Sequence, residues 1–244
     1  MTFSVVIPAR YAASRLPGKA LLDIAGKPMI QRTFEQAQAS AASAVYIATD
    51  DERIKTVAEG FGARVCMTSA EHRSGTDRLQ EVAAQLQFSD QHIVVNVQAD
   101  EPLIPPAAIN QVADNLAADA AAGIATLCEA ISSQEQIDNP NVVKVVIDNL
   151  GNALYFSRSA IPWQGSASAR NCFRHIGIYA YRVSTLNRFV QWPPSELEIQ
   201  EKLEQLRALS NGVKIQVALC EQTIPPGVDT EHDLEAVRSF LAEA

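Results

Sequence analysis

No apolar run in this 244-residue chain reaches the roughly 18 residues that a membrane-spanning helix needs, so a span is not expected. The N-terminus, MTFSVVIPAR, lacks a basic leader, a long apolar stretch and a small-residue cleavage site. It reads as a first buried strand instead of a secretory signal. Cysteine is scarce, and no two of Cys66, Cys128, Cys172 and Cys220 form a CxxC pair. Structural thiols of a reducing cytoplasm fit that pattern better than disulfides or zinc ligands. Positive charge is short as well: 20 Lys and Arg stand against 28 Asp and Glu, for a net charge of −8. This disfavours nonspecific binding to nucleic acid or to anionic membrane, and it means that any phosphate chemistry needs a local basic cluster. Neither GxxxxGK[ST] nor GxGxxG occurs, so the two commonest glycine-rich phosphate signatures are missing. Internal repeats, low-complexity tracts and a Pro/Gly/Ser linker are absent too.

What remains is ordinary globular material, 47% hydrophobic and 20% charged, enough for a sizeable core. Short β-branched runs at Phe3–Ile7, Ala44–Thr49, Arg64–Met67 and His92–Val97 predict strands. They alternate with helical patterns that follow Pro28 and cover Glu52–Phe61, Thr76–Leu86 and Pro105–Leu116. That alternation predicts an α/β fold with a mostly parallel, Rossmann-like central sheet, and the apolar His92–Val97 run belongs at its centre. After about residue 120 the rhythm changes. Strands are expected at Ile124–Ile131, Val142–Asp148, His175–Tyr181 and Ile215–Leu219. A hairpin is expected around Asn149, Gly151 and Asn152, a polar loop at Gly165–Asn171, and helices at Glu196–Ser210 and Glu231–Ala242. This half reads as a smaller mixed β insertion on the same sheet, within a single domain spanning 1–244.

Ligands of open α/β sheets sit beyond the carboxyl ends of the strands, and three polar segments fall there. Arg10-Tyr11-Ala12-Ala13-Ser14-Arg15-Leu16-Pro17-Gly18-Lys19 carries three cations, a pattern suited to a polyphosphate. His72-Arg73-Ser74-Gly75-Thr76-Asp77-Arg78 places small hydroxyl and backbone groups at a helix start, where they could meet a base edge or an anion, or simply cap the helix. Gln98-Ala99-Asp100-Glu101-Pro102 offers carboxylates to a hard cation such as Mg²⁺, with Asp229 a candidate second ligand or a plain helix cap.

These segments, with GKPMI, NPNVVKVV, ALYFSRSAIPW, RHIGIYAYR, LEQLR and GVDT, resemble the 3-deoxy-manno-octulosonate (Kdo) cytidylyltransferase family from residue 8 to about residue 230. The resemblance implies a fold of the nucleotide-diphospho-sugar transferase type. It also implies transfer of CMP from CTP to Kdo with release of pyrophosphate, Mg²⁺ as cofactor, a homodimer, and a role in lipopolysaccharide synthesis. It assigns Arg10, Arg15 and Lys19 to the triphosphate and Arg73, Ser74, Thr76 and Arg78 to the cytidine. Asp100 and Asp229 would hold the metal, with Lys19, Asp100 and Asp229 as the catalytic set. Gln98, Arg158, His175, Tyr179, Glu204 and Gln205 would meet the sugar, and residues 140–185 would form a sugar-binding and dimerisation subregion. Ala99 and Ala20 depart from the family's usual Gly and Pro. A cytidylyltransferase for another acidic sugar, sialic acid or an 8-amino Kdo analogue, is the alternative, and a nucleotide sensor without catalysis is a more distant one.

Overall fold

Alternate residues of β1 (Phe3–Ala9) point to opposite faces of the sheet, and both faces are apolar: Val5 and Ile7 enter one core, Val6 the other. A strand buried on both sides belongs in the middle of a layered α/β protein. The computed structural model describes residues 2–12, 16–72, 74–163 and 172–243. Beyond β1 come a 3₁₀ turn (Lys19–Leu21), a two-residue ribbon of β2 (Asp23–Ile24) and β3 (Lys27–Pro28), and α1 (Met29–Gln38). Then β4 (Ala44–Thr49), α2 (Glu52–Gly60), β5 (Arg64–Met67), α3 (Gly75–Gln85), β6 (Ile93–Asn96) and α4 (Pro106–Ala118) alternate as the sequence predicts.

The later elements are β7 (Ile124–Ala130), α5 (Gln134–Asp138), β8 (Lys144–Ile147), β9 (Ala153–Ser157) and β10 (Phe173–Arg182). They are followed by α6 (Val183–Phe189), α7 (Glu196–Glu201), α8 (Gln205–Ser210), β11 (Ile215–Leu219) and α9 (Glu231–Glu243). The main sheet runs β11-β7-β10-β6-β1-β4-β5. Its neighbours are parallel except at β10, which is antiparallel to both β6 and β7. The second half therefore enters the middle of the sheet. The hairpin of β8 and β9 extends it through β10 and is antiparallel throughout, so the mixed character belongs to the whole sheet and not to the insertion.

One face is covered by α1, α2 and α4 through Ile30, Phe34, Ile54, Ile109 and Leu116. The other is covered by α3, α6 and α8 through Leu79, Val82, Leu186 and Leu206. A third cluster joins Ile24 and Met29 to Val228, Leu234 and Val237, and it docks α9 near the loop after β6. The expected helix Glu196–Ser210 is two short helices, because Lys202 takes a left-handed conformation at φ 55° and ends α7. The expected loop at Gly165–Asn171 lies outside the described residues.

Candidate active site

The carboxyl ends of β1 and β6 and the start of α3 enclose a cleft of about 290 Å³. Arg10, Lys19, Ser74, Arg78, Gln98, Asp100 and Asp229 line it, so all three polar segments converge as expected. Lys19 sits at its heart. Its Nζ donates to Asp100 Oδ2 at 2.5 Å and to Asp229 Oδ1 at 3.1 Å. Two acids far apart in sequence therefore face one cation. The convergence has a backbone cause: Val228 N donates to Asp100 O at 2.8 Å, with Val228 fully buried beside it. Gly227 allows this approach, since a Cβ there would lie 3.2 Å from the Asp100 carbonyl oxygen. At the start of α9, Thr230 and Asp233 exchange hydrogen bonds.

The turn after β1 closes on itself. Gly18 N donates to Tyr11 O at 3.0 Å, and Gly18 adopts φ 70° against the Tyr11 ring, where an added Cβ would come within 3.2 Å. The Arg53 guanidinium covers the Tyr11 ring at 3.3 Å from its centroid. Arg10 is exposed at the cleft wall. Arg15 and Arg73, both assigned to the nucleotide, lie outside the described residues. Ala20 is buried, and Ala99 is not among the residues with positive φ, so its methyl group meets no backbone penalty.

At the start of α3, Ser74 caps Asp77 N at 3.2 Å and Asp77 reaches back to Ser74 N at 3.1 Å, a reciprocal capping box. The segment thus caps the helix and also lines the cleft. Thr76 is buried and donates to Glu204 Oε2 at 2.6 Å, which ties the start of α3 to the start of α8. Arg78 is a strut: its guanidinium is buried against Asp50 at 3.1 Å and Thr68 at 2.7 Å, with only part of it reaching the cleft wall.

In the second half of the chain, His175 and Tyr179 share a face of β10 with ring centroids 5.2 Å apart, and Phe156 meets His175 edge-on at 5.0 Å. A bulge in β10 sets their spacing; Thr126 Oγ1 donates to Ile178 O at 2.7 Å there and lies 3.0 Å from His175 Nε2. Burial pushes His175 down to about 3, so its imidazole is neutral. Burial raises Glu204, while hydrogen bonds from Thr76 and Ser74 and the Arg207 charge pull it back. Gln205 is buried beside it. Arg158 stands at the end of β9 with its guanidinium on two backbone carbonyls, Glu201 O at 2.8 Å and Pro140 O at 3.0 Å. It does not line the cleft described above.

Two acids were not separable from sequence. Glu101 neighbours Asp100 yet turns inward, and burial, reinforced by the Asp100 charge, raises it to about 8. Its Oε2 is buried with no hydrogen-bond partner among the described residues, as suits a protonated carboxyl. Glu201, unremarked in the sequence, accepts from Ser157 Oγ at 2.6 Å and Arg158 N at 2.9 Å. Among the described residues no three His, Cys, Asp or Glu side chains cluster as a metal cage. Two carboxylates, with phosphate and water for the remaining positions, still fit the habits of Mg²⁺.

A model of the cytidylyltransferase family matches residues 4–215. The 3-deoxy-manno-octulosonate cytidylyltransferase of Cellvibrio japonicus (strain Ueda107) is 58% identical over 251 residues, covering 99% of this chain and 98% of that one. Its counterpart from Alcanivorax borkumensis (strain ATCC 700651 / DSM 11573 / NCIMB 13689 / SK2) is 55% identical over 249 residues, covering 99% of each chain. A solved structure of CMP:2-keto-3-deoxy-manno-octonic acid synthetase complexed with CTP matches with a TM-score of 0.93 at 44% identity, covering 99% of this chain and 98% of that one. Fold and relatives together define a nucleotidyltransferase. Within that class the chain belongs to the 3-deoxy-manno-octulosonate cytidylyltransferase family.

Proposed function

We propose that the protein joins CTP and Kdo. The anomeric hydroxyl oxygen of Kdo attacks the α-phosphorus of CTP, the bond to the bridging oxygen of the β-phosphate breaks, and pyrophosphate leaves. The hydroxyl proton passes to solvent. The observation that carries this reading is the convergence of Lys19, Asp100 and Asp229 in one cleft at the strand ends. Negative charge grows on the nonbridging and leaving oxygens, so catalysis rests on positioning and on cations set in advance. Lys19 and Arg10, with Arg15, hold the triphosphate. Ser74 and its neighbours hold the cytidine. Asp100 and Asp229 hold Mg²⁺, which when bound neutralises phosphate charge and lowers the pKa of the attacking hydroxyl. Arg158, His175, Tyr179, Glu204, Gln205 and Gln98 receive the sugar acid, with the Arg158 fork suited to its carboxylate.

We read the chain as one domain whose residues 140–185 serve sugar binding and a homodimer contact. Leu150, Leu154 and Trp163 support the contact: they are 82%, 60% and 91% exposed on or beside the β8–β9 hairpin. No helix among the described residues is long and apolar enough to cross a membrane. The free thiols of Cys66 and Cys128 support a cytoplasmic enzyme whose product feeds lipopolysaccharide synthesis. The test is pyrophosphate release across a panel of nucleoside triphosphates and acidic sugars. CTP with Kdo is expected to give the highest kcat/KM. Preference for sialic acid or an 8-amino analogue would reassign the sugar, and CTP binding without any turnover would leave only a sensor.

A further inference from the structure

Lys144 opens β8, and its side chain is fully buried, with 0% exposure. An ammonium so placed is costly unless its hydrogen bonds are satisfied. Its Nζ donates to Arg158 O at 2.6 Å and to Asn139 O at 3.0 Å. Burial lowers its pKa, while the Asp138 and Glu201 charges favour the ammonium and Arg158 opposes it.

Both carbonyls belong to the support of Arg158. The first is that residue's own backbone oxygen. The second lies one residue before Pro140, whose carbonyl accepts from Arg158 Nη1. Glu201 fixes the opposite side, accepting from Arg158 N at 2.9 Å through its carboxylate and from Nε at 2.8 Å through its backbone. The backbone of Arg158 is thus held at both its N–H and its C=O, and the turn under its guanidinium is held too. Register adds a further link: Lys144 pairs with Ser157 in β9 and with Arg174 in β10, and His175 N donates to Val143 O at 2.8 Å. None of the hydrogen bonds made by Lys144 reaches the residues that line the nucleotide cleft.

We propose that Lys144 is a positioning residue for the acidic-sugar subsite, presetting the Arg158 guanidinium through the carbonyls of Arg158 and Asn139 without touching either substrate. This rests on the reading of Arg158 as the partner of the sugar carboxylate. Misplacing a substrate-orienting group by about an ångström can cost on the order of a hundredfold in rate. The experiment compares Lys144→Met, which fills the space without donors, with Arg158→Ala, measuring kcat and both KM values by pyrophosphate release. Lys144→Met is expected to raise KM for Kdo by about tenfold or more. Its KM for CTP should stay within about twofold of the parent, because its partners lie off the nucleotide side. Arg158→Ala is expected to show the same asymmetry. If Arg158→Ala is asymmetric while Lys144→Met leaves KM for Kdo unchanged, or raises both KM values alike, the role given to Lys144 is overturned. If Arg158→Ala leaves KM for Kdo unchanged, the reading of Arg158 itself fails. Should Lys144→Met not fold, Lys144→Leu, which also lacks a donor, carries the same comparison.

Discussion

Asp100→Asn removes one charge from a three-member cluster and leaves the side chain nearly the same shape. In the substrate-free protein it loses the 2.5 Å ion pair to Lys19, which keeps Asp229 at 3.1 Å. Lys19 is 16% exposed and Asp100 29%, so water screens the pair and its loss costs about 1 kcal/mol at most. For a chain of this size that shifts the melting temperature by roughly 2–4 °C, and the fold survives. Turnover responds on another scale. An amide oxygen is a poor substitute for a carboxylate toward a hard divalent ion, and the triphosphate charge is then left partly uncompensated. We expect kcat/KM to fall by about two to three decades, or roughly 3–4 kcal/mol of transition-state stabilisation. The magnesium concentration for half-maximal rate should rise together with this loss. Asp229→Asn should behave alike, and the double variant should lose less than the two effects combined, because both acids serve one ion. Pyrophosphate release at varied Mg²⁺ and thermal melting measure the two scales separately. A rate within about threefold of the parent, with an unchanged magnesium dependence, would refute the assignment.

Other outcomes follow from buried groups. Glu101 is raised to about 8 by burial and by Asp100, so its protonated form supports the fold fully below the usual value of 4.5, and that support fades as pH climbs toward 8. Glu101→Gln should therefore melt higher than the parent at pH 9 and alike at pH 4; equal melting at pH 9 contradicts the burial argument. His175, lowered to about 3, should show flat imidazole chemical shifts by NMR from pH 5 to 9, and an inflection near 6.5 would mean that it is solvated. A Cβ at position 123 would stand 2.5 Å from Thr185 Oγ1 and 2.9 Å from Val213 Cγ1. Gly123→Ala should accordingly lower unfolding free energy by about 1–3 kcal/mol in urea titrations, and an unchanged midpoint would show that the strand shifts freely.

The first half of the fold was legible because local signals agreed. Val5-Val6-Ile7 and Val94-Val95 fit buried strands better than helices, and Asp51 and Ser74 cap α2 and α3 where the sequence placed helix starts. The break in Glu196–Ser210 was not legible, since a lysine, and no glycine, takes the left-handed turn. Short α5 and α6 carry too few turns to show a period. At the candidate site, position after a strand pointed to Arg10, Lys19 and Asp100, which line one cleft. Spacing alone left Asp229 even between metal ligand and helix cap; its place beside Asp100 depends on a tertiary hydrogen bond from Val228. The commitment of Arg78 to Asp50, and the burial of Lys144 under Arg158, are likewise tertiary facts with no trace in local pattern.

We propose that Asp100 and Asp229 together seat a divalent ion on the triphosphate of CTP beside Lys19. Crystals grown with CTP and Mn²⁺, a stand-in for Mg²⁺ with an anomalous signal, test it directly. We expect an anomalous peak coordinated by both carboxylates and by phosphate oxygens, with Arg10 and Lys19 on the same triphosphate. A metal bound by neither acid, or a triphosphate lodged outside this cleft, would contradict it.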